Sequence, residues 1–161
     1  MSAFDDAFAN TIGLEGGFVD NPADPGGATM YGVTERVARK YGYTGDMHDL
    51  PLETAKQIAK QEYWDPYQCD ALMPLVSMQV FDAVYNGGDA VRWLQQSSGA
   101  TVDGVMGPMT VTAVNLVNPY VMVMRFLALR LTYMTNLDIW PNFGRGWARR
   151  IAHNLQLGAQ S

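Results

Sequence analysis

The stretch that decides the fold runs from Glu15 to Thr34 and reads EGGFVDNPADPGGATMYGVT. Apolar residues recur at helical spacing over Ser2–Leu14, and Gly16-Gly17 would end that helix because glycine suits a left-handed residue after a helix. Inside the stretch, repeated Pro and Gly residues exclude a helix. Phe18-Val19 and Met30–Val33 are instead predicted to form two short strands. We therefore expect one small β-hairpin directly after the first helix.

Helices are predicted for most of the remaining chain, and a loop is predicted at Trp140–Gly146. Capping residues and early prolines mark several of the helix starts. The predicted helices run from the Thr34 cap to Arg39 or Lys40, Pro51–Trp64, Leu75–Tyr85, Ala90–Ser98, Pro108–Leu116, Pro119–Asn136, and from Trp147 onward. The fold class is therefore mainly α, a helical bundle with one small β-hairpin after the first helix.

Composition and charge exclude several classes of protein. Apolar residues make up 48% of the 161 residues, enough for a sizeable core. Cys69 is the only cysteine, so an intrachain disulfide is impossible, and folding without oxidation fits synthesis in a cytoplasm. We expect no signal peptide and no stable membrane insertion. Residues 81–161 hold four acids and six arginines, too sparse a basic surface for nucleic acid.

Three carboxyl groups and several hydroxyls fall within Glu15–Thr34. Glu15 lies at a helix C-terminus, where backbone carbonyls disfavour an ionised carboxyl. A carboxylic acid that stays protonated is what glycosidic cleavage needs at the leaving oxygen. Asp24 would accept a proton from water or stabilise the transition state, and Thr29 would hold that water. The spacing therefore makes Glu15, Asp24 and Thr29 the candidate catalytic residues.

Ordinary structural roles remain open for the same residues. Asp and Asn beside Pro or Gly commonly form turns, because their side chains bond nearby backbone. A turn-forming role is favoured for Asp20 and Asn21. For Asp24, a turn-forming role and a catalytic role are equally supported. Residue type alone would make Glu15 a plain helix-end glutamate. Spacing does not separate these alternatives.

Glu15–Thr34 also resembles the motif of glycoside hydrolase family 108, phage-type endolysins also described as secretion activators. Twelve of its positions match the pattern, namely Glu15, Gly16, Gly17, Phe18, Pro22, Asp24, Gly26, Gly27, Thr29, Gly32, Val33 and Thr34. The resemblance implies a lysozyme-like α fold and N-acetylmuramidase (lysozyme) activity. It implies that Glu15 is the acid that cleaves the β-1,4 bond between N-acetylmuramic acid and N-acetylglucosamine.

A second motif, from Gln95 through Val102-Asp103-Gly104 and Gly107-Pro108 to Thr110, resembles the peptidoglycan-binding module that follows this catalytic region in the family. Asp103-Gly104 suits a tight turn, and the Gln95 side chain can hydrogen-bond to the loop that contains this turn. The motif therefore indicates an architecture rather than a binding site. We expect a catalytic region over residues 1–88 and the helical module over 89–161, packed together as one compact unit.

Aromatic and amide side chains are candidates for a sugar-binding groove, because aromatic faces stack on sugars and asparagine can bond acetamido groups. The predicted substrate-binding residues are Tyr31, Tyr63, Trp64, Tyr85 and Asn86. For each of them a position in the core or at its rim is the alternative. His48, His153 and Cys69 lack metal-ligand spacing, so we expect no metal and no cofactor.

These observations predict a peptidoglycan hydrolase whose partner is the glycan strand. Two alternatives stay open: a lytic transglycosylase that forms 1,6-anhydro products, and a wall-binding protein without activity. We expect a monomer that is made in the bacterial host cytoplasm and is active on the cell wall. Because no signal is present, its release would need a phage holin or a bacterial toxin-export pathway. Its role would be antimicrobial host-cell lysis.

Overall fold

The computed structural model describes residues 2–22 and 25–160, with their side chains apart from those of residues 13–15. This described part is mainly helical with one small antiparallel sheet after the first helix, which confirms the predicted fold class. In chain order the elements are α1 (Ala3–Glu15), β1 (Thr29–Met30), β2 (Val33–Thr34), α2 (Glu35–Lys40), α3 (Leu52–Tyr63), α4 (Pro74–Tyr85), α5 (Ala90–Ser98), α6 (Pro108–Asn115), α7 (Pro119–Thr135) and α8 (Trp140–Gly158). Short 3-10 helices lie at Met47–Asp49, Asp65–Tyr67 and Cys69–Ala71.

The chain divides into two compact units, Met1–Pro66 and Tyr67–Ser161. The first contains α1, the sheet, α2 and α3, and the second contains α4 to α8. The sequence predicts a boundary at residues 88 and 89 between a catalytic region and a wall-binding module. That boundary divides the chain by function, whereas the two units divide it by compactness. It stays a prediction.

Local hydrogen bonds fix the start of α1 in the first unit. The Ser2 hydroxyl accepts from the Asp5 N–H at 3.1 Å, and the Asp5 carboxylate accepts from the Ser2 N–H at 3.2 Å. This reciprocal pair satisfies backbone donors that a helix otherwise leaves unpaired. Lys56 of α3 donates to the same carboxylate at 2.7 Å. Phe4 packs edge-on against Trp64, with ring centroids 5.4 Å apart, so α1 is joined to α3 by charge and by core packing.

The hairpin is shorter than predicted and turns inside the segment Met30–Val33. β1 and β2 pair antiparallel, and the two residues between them, Tyr31 and Gly32, have φ angles of 49° and 69°. Positive φ at both central residues is the geometry of a type I′ turn. The prediction of one strand over Met30–Val33 is therefore wrong, because alternation of residue types does not report a left-handed backbone at Tyr31. Val19, expected in the partner strand, forms a single bridge to Thr29.

Helix starts in both units are fixed by local features, and the predicted Thr34 cap is confirmed. The Thr34 hydroxyl accepts from the Val37 N–H at 3.3 Å at the start of α2. The Asn118 side chain accepts from the Tyr120 N–H at 3.0 Å at the start of α7. Pro108 occupies the first turn of α6, where its missing N–H removes no helical hydrogen bond.

No single helix among the described residues is long and apolar enough to cross a membrane. One sharply bent pair, Pro108–Asn115 with Pro119–Thr135, passes on length and composition alone. The second helix of that pair buries Met122, Val123 and Phe126 in the core. Its apolar composition is thus explained by packing.

The last helix begins at Trp140, so the predicted loop at Trp140–Gly146 is wrong. Pro141 lies in the first turn, where proline is tolerated. Gly144 is buried, and a Cβ atom added to it would lie 2.5 Å from the Trp140 indole. Glycine is present here because an aromatic ring lies directly against the backbone, and not because the chain forms a loop.

Asp82, on α4 in the second unit, is 3% exposed and receives charged partners from two other helices. Arg130 of α7 donates to one carboxylate oxygen at 2.5 Å, and Arg150 of α8 donates to the other. Asn154 adds a hydrogen bond at 2.9 Å. Burial alone would raise the pKa of Asp82, but the two guanidinium groups outweigh it and lower the pKa. This cluster fixes α4, α7 and α8 to one another.

Gln95 holds the loop between α5 and α6. Its amide NH₂ group donates to Asp103 at 2.7 Å and to Thr110 at 3.1 Å, and its carbonyl oxygen accepts from the Gly104 N–H at 2.9 Å. Asp103 also accepts from the Val105 N–H, and these backbone and amide hydrogen bonds lower its pKa. The predicted folding role of this motif is confirmed.

Replacement of Gln95 by leucine should lower the free energy of unfolding by about 1–3 kcal/mol, because a buried loop then loses its hydrogen-bond partners. Urea denaturation followed by circular dichroism measures this loss. The matched control is Gln96→Leu at the exposed neighbouring position. Equal losses in the two variants would contradict a specific role for Gln95.

Candidate active site

Glu15 is the last residue of α1. Gly16 follows in an extended conformation, with its N–H bonded to the Ile12 carbonyl, and Gly17 has a φ of 106°. A Cβ atom at Gly16 would lie 2.7 Å from that carbonyl oxygen, so glycine is required for this close approach. The last turn of α1 carries no basic residue. The Glu15 side chain lies outside the described residues.

Backbone pairing turns the segment after the helix end back on itself. Val19 and Thr29 exchange N–H···O bonds of 2.8 and 2.7 Å, so that residues 20–22 leave and residues 25–28 re-enter one bridge, here called the closed loop. The later part of this loop lies against the first turn of α2. There the N–H groups of Glu35 and Arg36 donate to the carbonyls of Ala28 and Gly26. The loop is therefore held at both ends by the backbone.

Thr29 is a candidate catalytic residue, and the length of the chain limits its distance from the end of α1. Val19 is four positions after Glu15, so their Cα atoms are at most about 14 Å apart. Because Val19 pairs directly with Thr29, the hairpin begins no more than about one strand spacing of 5 Å beyond that reach. Asp24, the third candidate, lies outside the described residues.

The predicted groove residues of the first unit occupy different environments. Tyr31 is half-buried in the type I′ turn, and Tyr63 is half-buried at the C-terminal end of α3. Trp64 is 0% exposed and packs against Phe4. A fully buried ring offers no face to a sugar, so the alternative of a core position describes Trp64.

Tyr85 and Asn86 lie at the end of α4 in the second unit. Tyr85 is half-buried and its ring lies 5.3 Å from that of Phe81. Asn86 is exposed and its amide donates to the Asp82 carbonyl at 2.7 Å. These contacts give Asn86 a helix-capping role, while sugar contact by either residue stays a prediction.

One aromatic pair beside the loop is absent from the sequence-based candidates. The exposed Phe18 ring lies 5.0 Å from the imidazole of His48, which follows the cap residue Asp46. Phe18 belongs to the Glu15–Thr34 motif, but its partner is 30 positions away and no local pattern identifies it.

Four described carboxyl groups have shifted pKa values, and each shift is downward. A hydrogen bond from Lys56 holds the pKa of Asp5 well below its usual range. For Glu62, burial alone would raise the pKa, but hydrogen bonds from Lys40 and Tyr41 outweigh it. The shifted carboxyls thus favour the ionised form, opposite to what a proton donor at neutral pH requires.

Within residues 2–22 and 25–160, no group of three or more His, Cys, Asp or Glu side chains is placed to hold a metal ion. The site is therefore described by the helix end, the closed loop and the hairpin.

The sequence model of the family Glycosyl hydrolase 108 matches residues 8–88, just over half of the chain. The matched range includes the end of α1, the closed loop and the hairpin. The chain belongs to this family. It is accordingly a glycoside hydrolase, and the glycosyl hydrolase 108 match covers the whole Glu15–Thr34 motif.

A solved structure supports the assignment to glycosyl hydrolase 108. The chain is similar to SagA from Brucella abortus, with a TM-score of 0.84 and 29% sequence identity over 97% of this chain and 93% of that one. No curated protein sequence matches significantly. The family and the structural match together identify a peptidoglycan hydrolase in general terms.

Proposed function

We propose that this glycosyl hydrolase 108 protein is an N-acetylmuramidase that cleaves the β-1,4 bond between N-acetylmuramic acid and N-acetylglucosamine, with Glu15 as the general acid. The observation that carries the proposal is the position of Glu15 as the last residue of α1, within the family match. The negative field of a helix C-terminus favours a protonated carboxyl. The last helical turn itself carries no basic residue that would offset this field.

The reaction begins when the Glu15 carboxyl transfers its proton to the glycosidic oxygen. The bond between that oxygen and the anomeric carbon breaks, and positive charge develops on the sugar ring. A water oxygen then bonds to the anomeric carbon, and its proton passes to Asp24. Asp24 then releases that proton to solvent and Glu15 takes one up from solvent, so the atoms and charges balance over one cycle.

Thr29 would orient the attacking water through its hydroxyl. Its backbone is fixed by two hydrogen bonds to Val19 and by pairing with Thr34, which supports a positioning role. A positioned water on the face opposite the acid is what direct hydrolysis requires.

The second unit would hold the glycan strand during this reaction, and we propose a monomer acting in host-cell lysis. The Gln95 network supports a folded scaffold, since its hydrogen bonds are directed at its own loop. Wall contact must therefore come from other residues of this unit.

The expected products of purified peptidoglycan are reducing muropeptides that contain one added water. Mass spectrometry after digestion measures this directly, with loss of turbidity as the rate. A lytic transglycosylase would instead release 1,6-anhydro products lighter by the mass of one water. A wall-binding protein without activity would release no soluble product. Either of those results would contradict the proposed reaction.

A further inference from the structure

Three aromatic rings lie close together along the first half of α8: Trp140, Phe143 and Trp147, here called the aromatic platform. The Phe143 and Trp147 rings are stacked, with centroids 5.9 Å apart and planes inclined by 22°. The Trp140 ring lies 6.1 Å from that of Trp147. Phe143 is 54% exposed and both tryptophans are half-buried. Solvent-exposed stacked rings need an explanation other than core packing.

The platform is held on a rigid support. The Trp140 indole lies directly over Gly144, where any side chain would collide with it. Further along α8, Arg150 and Asn154 are fixed to the buried Asp82. Rings with few rotatable bonds on an anchored helix lose little conformational entropy when a ligand binds.

The charged side chains of α8 are all basic. From Ile139 to Ser161 the sequence contains three arginines and no acid. Arg150 pairs with Asp82, whereas Arg145 and Arg149 are exposed and one helical turn apart. The platform is therefore accompanied by two guanidinium groups, which suit carboxylate partners.

We propose that the aromatic platform binds the glycan strand of peptidoglycan, with Phe143 and Trp147 stacking on a pyranose face and Arg149 pairing with a stem-peptide carboxylate. The identity of the polymer rests on the proposed function. Sugars present apolar C–H faces to aromatic rings, and the peptide branches of peptidoglycan supply the anionic groups. An anionic glycopeptide is thus complementary to both features of α8.

Co-sedimentation with purified sacculi tests the proposal in the Glu15→Gln background, so that binding is measured apart from cleavage. Phe143→Leu should weaken binding about tenfold, since leucine keeps apolar area but removes the ring face. Phe143→Tyr should bind like the parent. Arg149→Ala should weaken binding by a few-fold and reduce its dependence on salt. The matched control is Leu116→Ala on α6, which removes an apolar side chain that is 82% exposed.

A soluble probe locates the contact. The β-1,4-linked tetrasaccharide of N-acetylglucosamine should change tryptophan fluorescence, because Trp140 and Trp147 are partly exposed whereas Trp64 and Trp93 are buried. The change should disappear in Phe143→Leu. Circular dichroism melting confirms that each variant is folded.

Parent-like binding by Phe143→Leu, an equal loss in Leu116→Ala, or no sedimentation of the parent would overturn the platform. None of these results bears on cleavage, which is measured by product mass in the enzyme with Glu15 intact. Failure of cleavage with normal sedimentation would overturn the proposed reaction and leave the platform in place.

Discussion

Glutamine at position 15 is expected to lower the rate of peptidoglycan hydrolysis by about 10³-fold, because an amide of the same shape has no acidic proton for the leaving oxygen. The fold should persist, since the start of α1 is fixed by Ser2 and Asp5 and its packing by Phe4. The loss should therefore appear in the rate and not in the thermal midpoint. Turbidity loss of purified sacculi measures the rate.

The matched control for this substitution is Glu53→Gln, which changes an exposed glutamate in the first turn of α3. It should hydrolyse sacculi at the parent rate. Parent-like hydrolysis by Glu15→Gln would remove Glu15 from the mechanism, whatever the products of the parent enzyme.

Alanine in place of Asp82 is expected to lower the free energy of unfolding by about 3–5 kcal/mol, because it leaves the charges of Arg130 and Arg150 buried without their shared carboxylate. A cost of this size exceeds that of ordinary surface substitutions and is a large share of a domain's stability. Urea denaturation at neutral pH measures it. A cost below about 1 kcal/mol, as for a surface pair, would show that the cluster contributes little.

The same carboxylate gives the stability a definite pH dependence. Its pKa is lowered in the folded protein, so it contributes stability above its unfolded pKa of about 4. That contribution is lost as pH falls through the folded pKa. Asp89→Ala is the control, since Asp89 pairs with Arg92 at 3.4 Å on the surface. Only Asp82→Ala should flatten the acid limb of the stability curve.

Helix positions were predictable where the start of a helix is marked locally. Thr34, Asn118 and Pro108 act within one turn of their own position, so sequence is enough to place α2, α7 and α6. Gly144 is misleading because glycine usually indicates a loop. Here it lies inside a helix and makes room for the Trp140 ring, one turn earlier. Tyr31 misleads because its positive φ depends on the two strands that it connects.

The same division separates the candidate site from the buried Asp82 cluster. The helix end at Glu15 and the return of the chain through Thr29 are visible in the Gly and Pro pattern. The Asp82 cluster is not, because Arg130 and Arg150 are 48 and 68 positions away. Counted from sequence, both arginines suggest a basic surface, yet both are buried.

The cluster of Asp82, Arg130 and Arg150 has a consequence for how this chain can diverge. A single substitution at any of the three positions leaves a buried charge without its partner. The resulting protein is less stable, and selection removes most such variants. We expect homologues to keep all three residues or to replace the set with apolar ones. A survey of relatives would then show the three positions changing as a block.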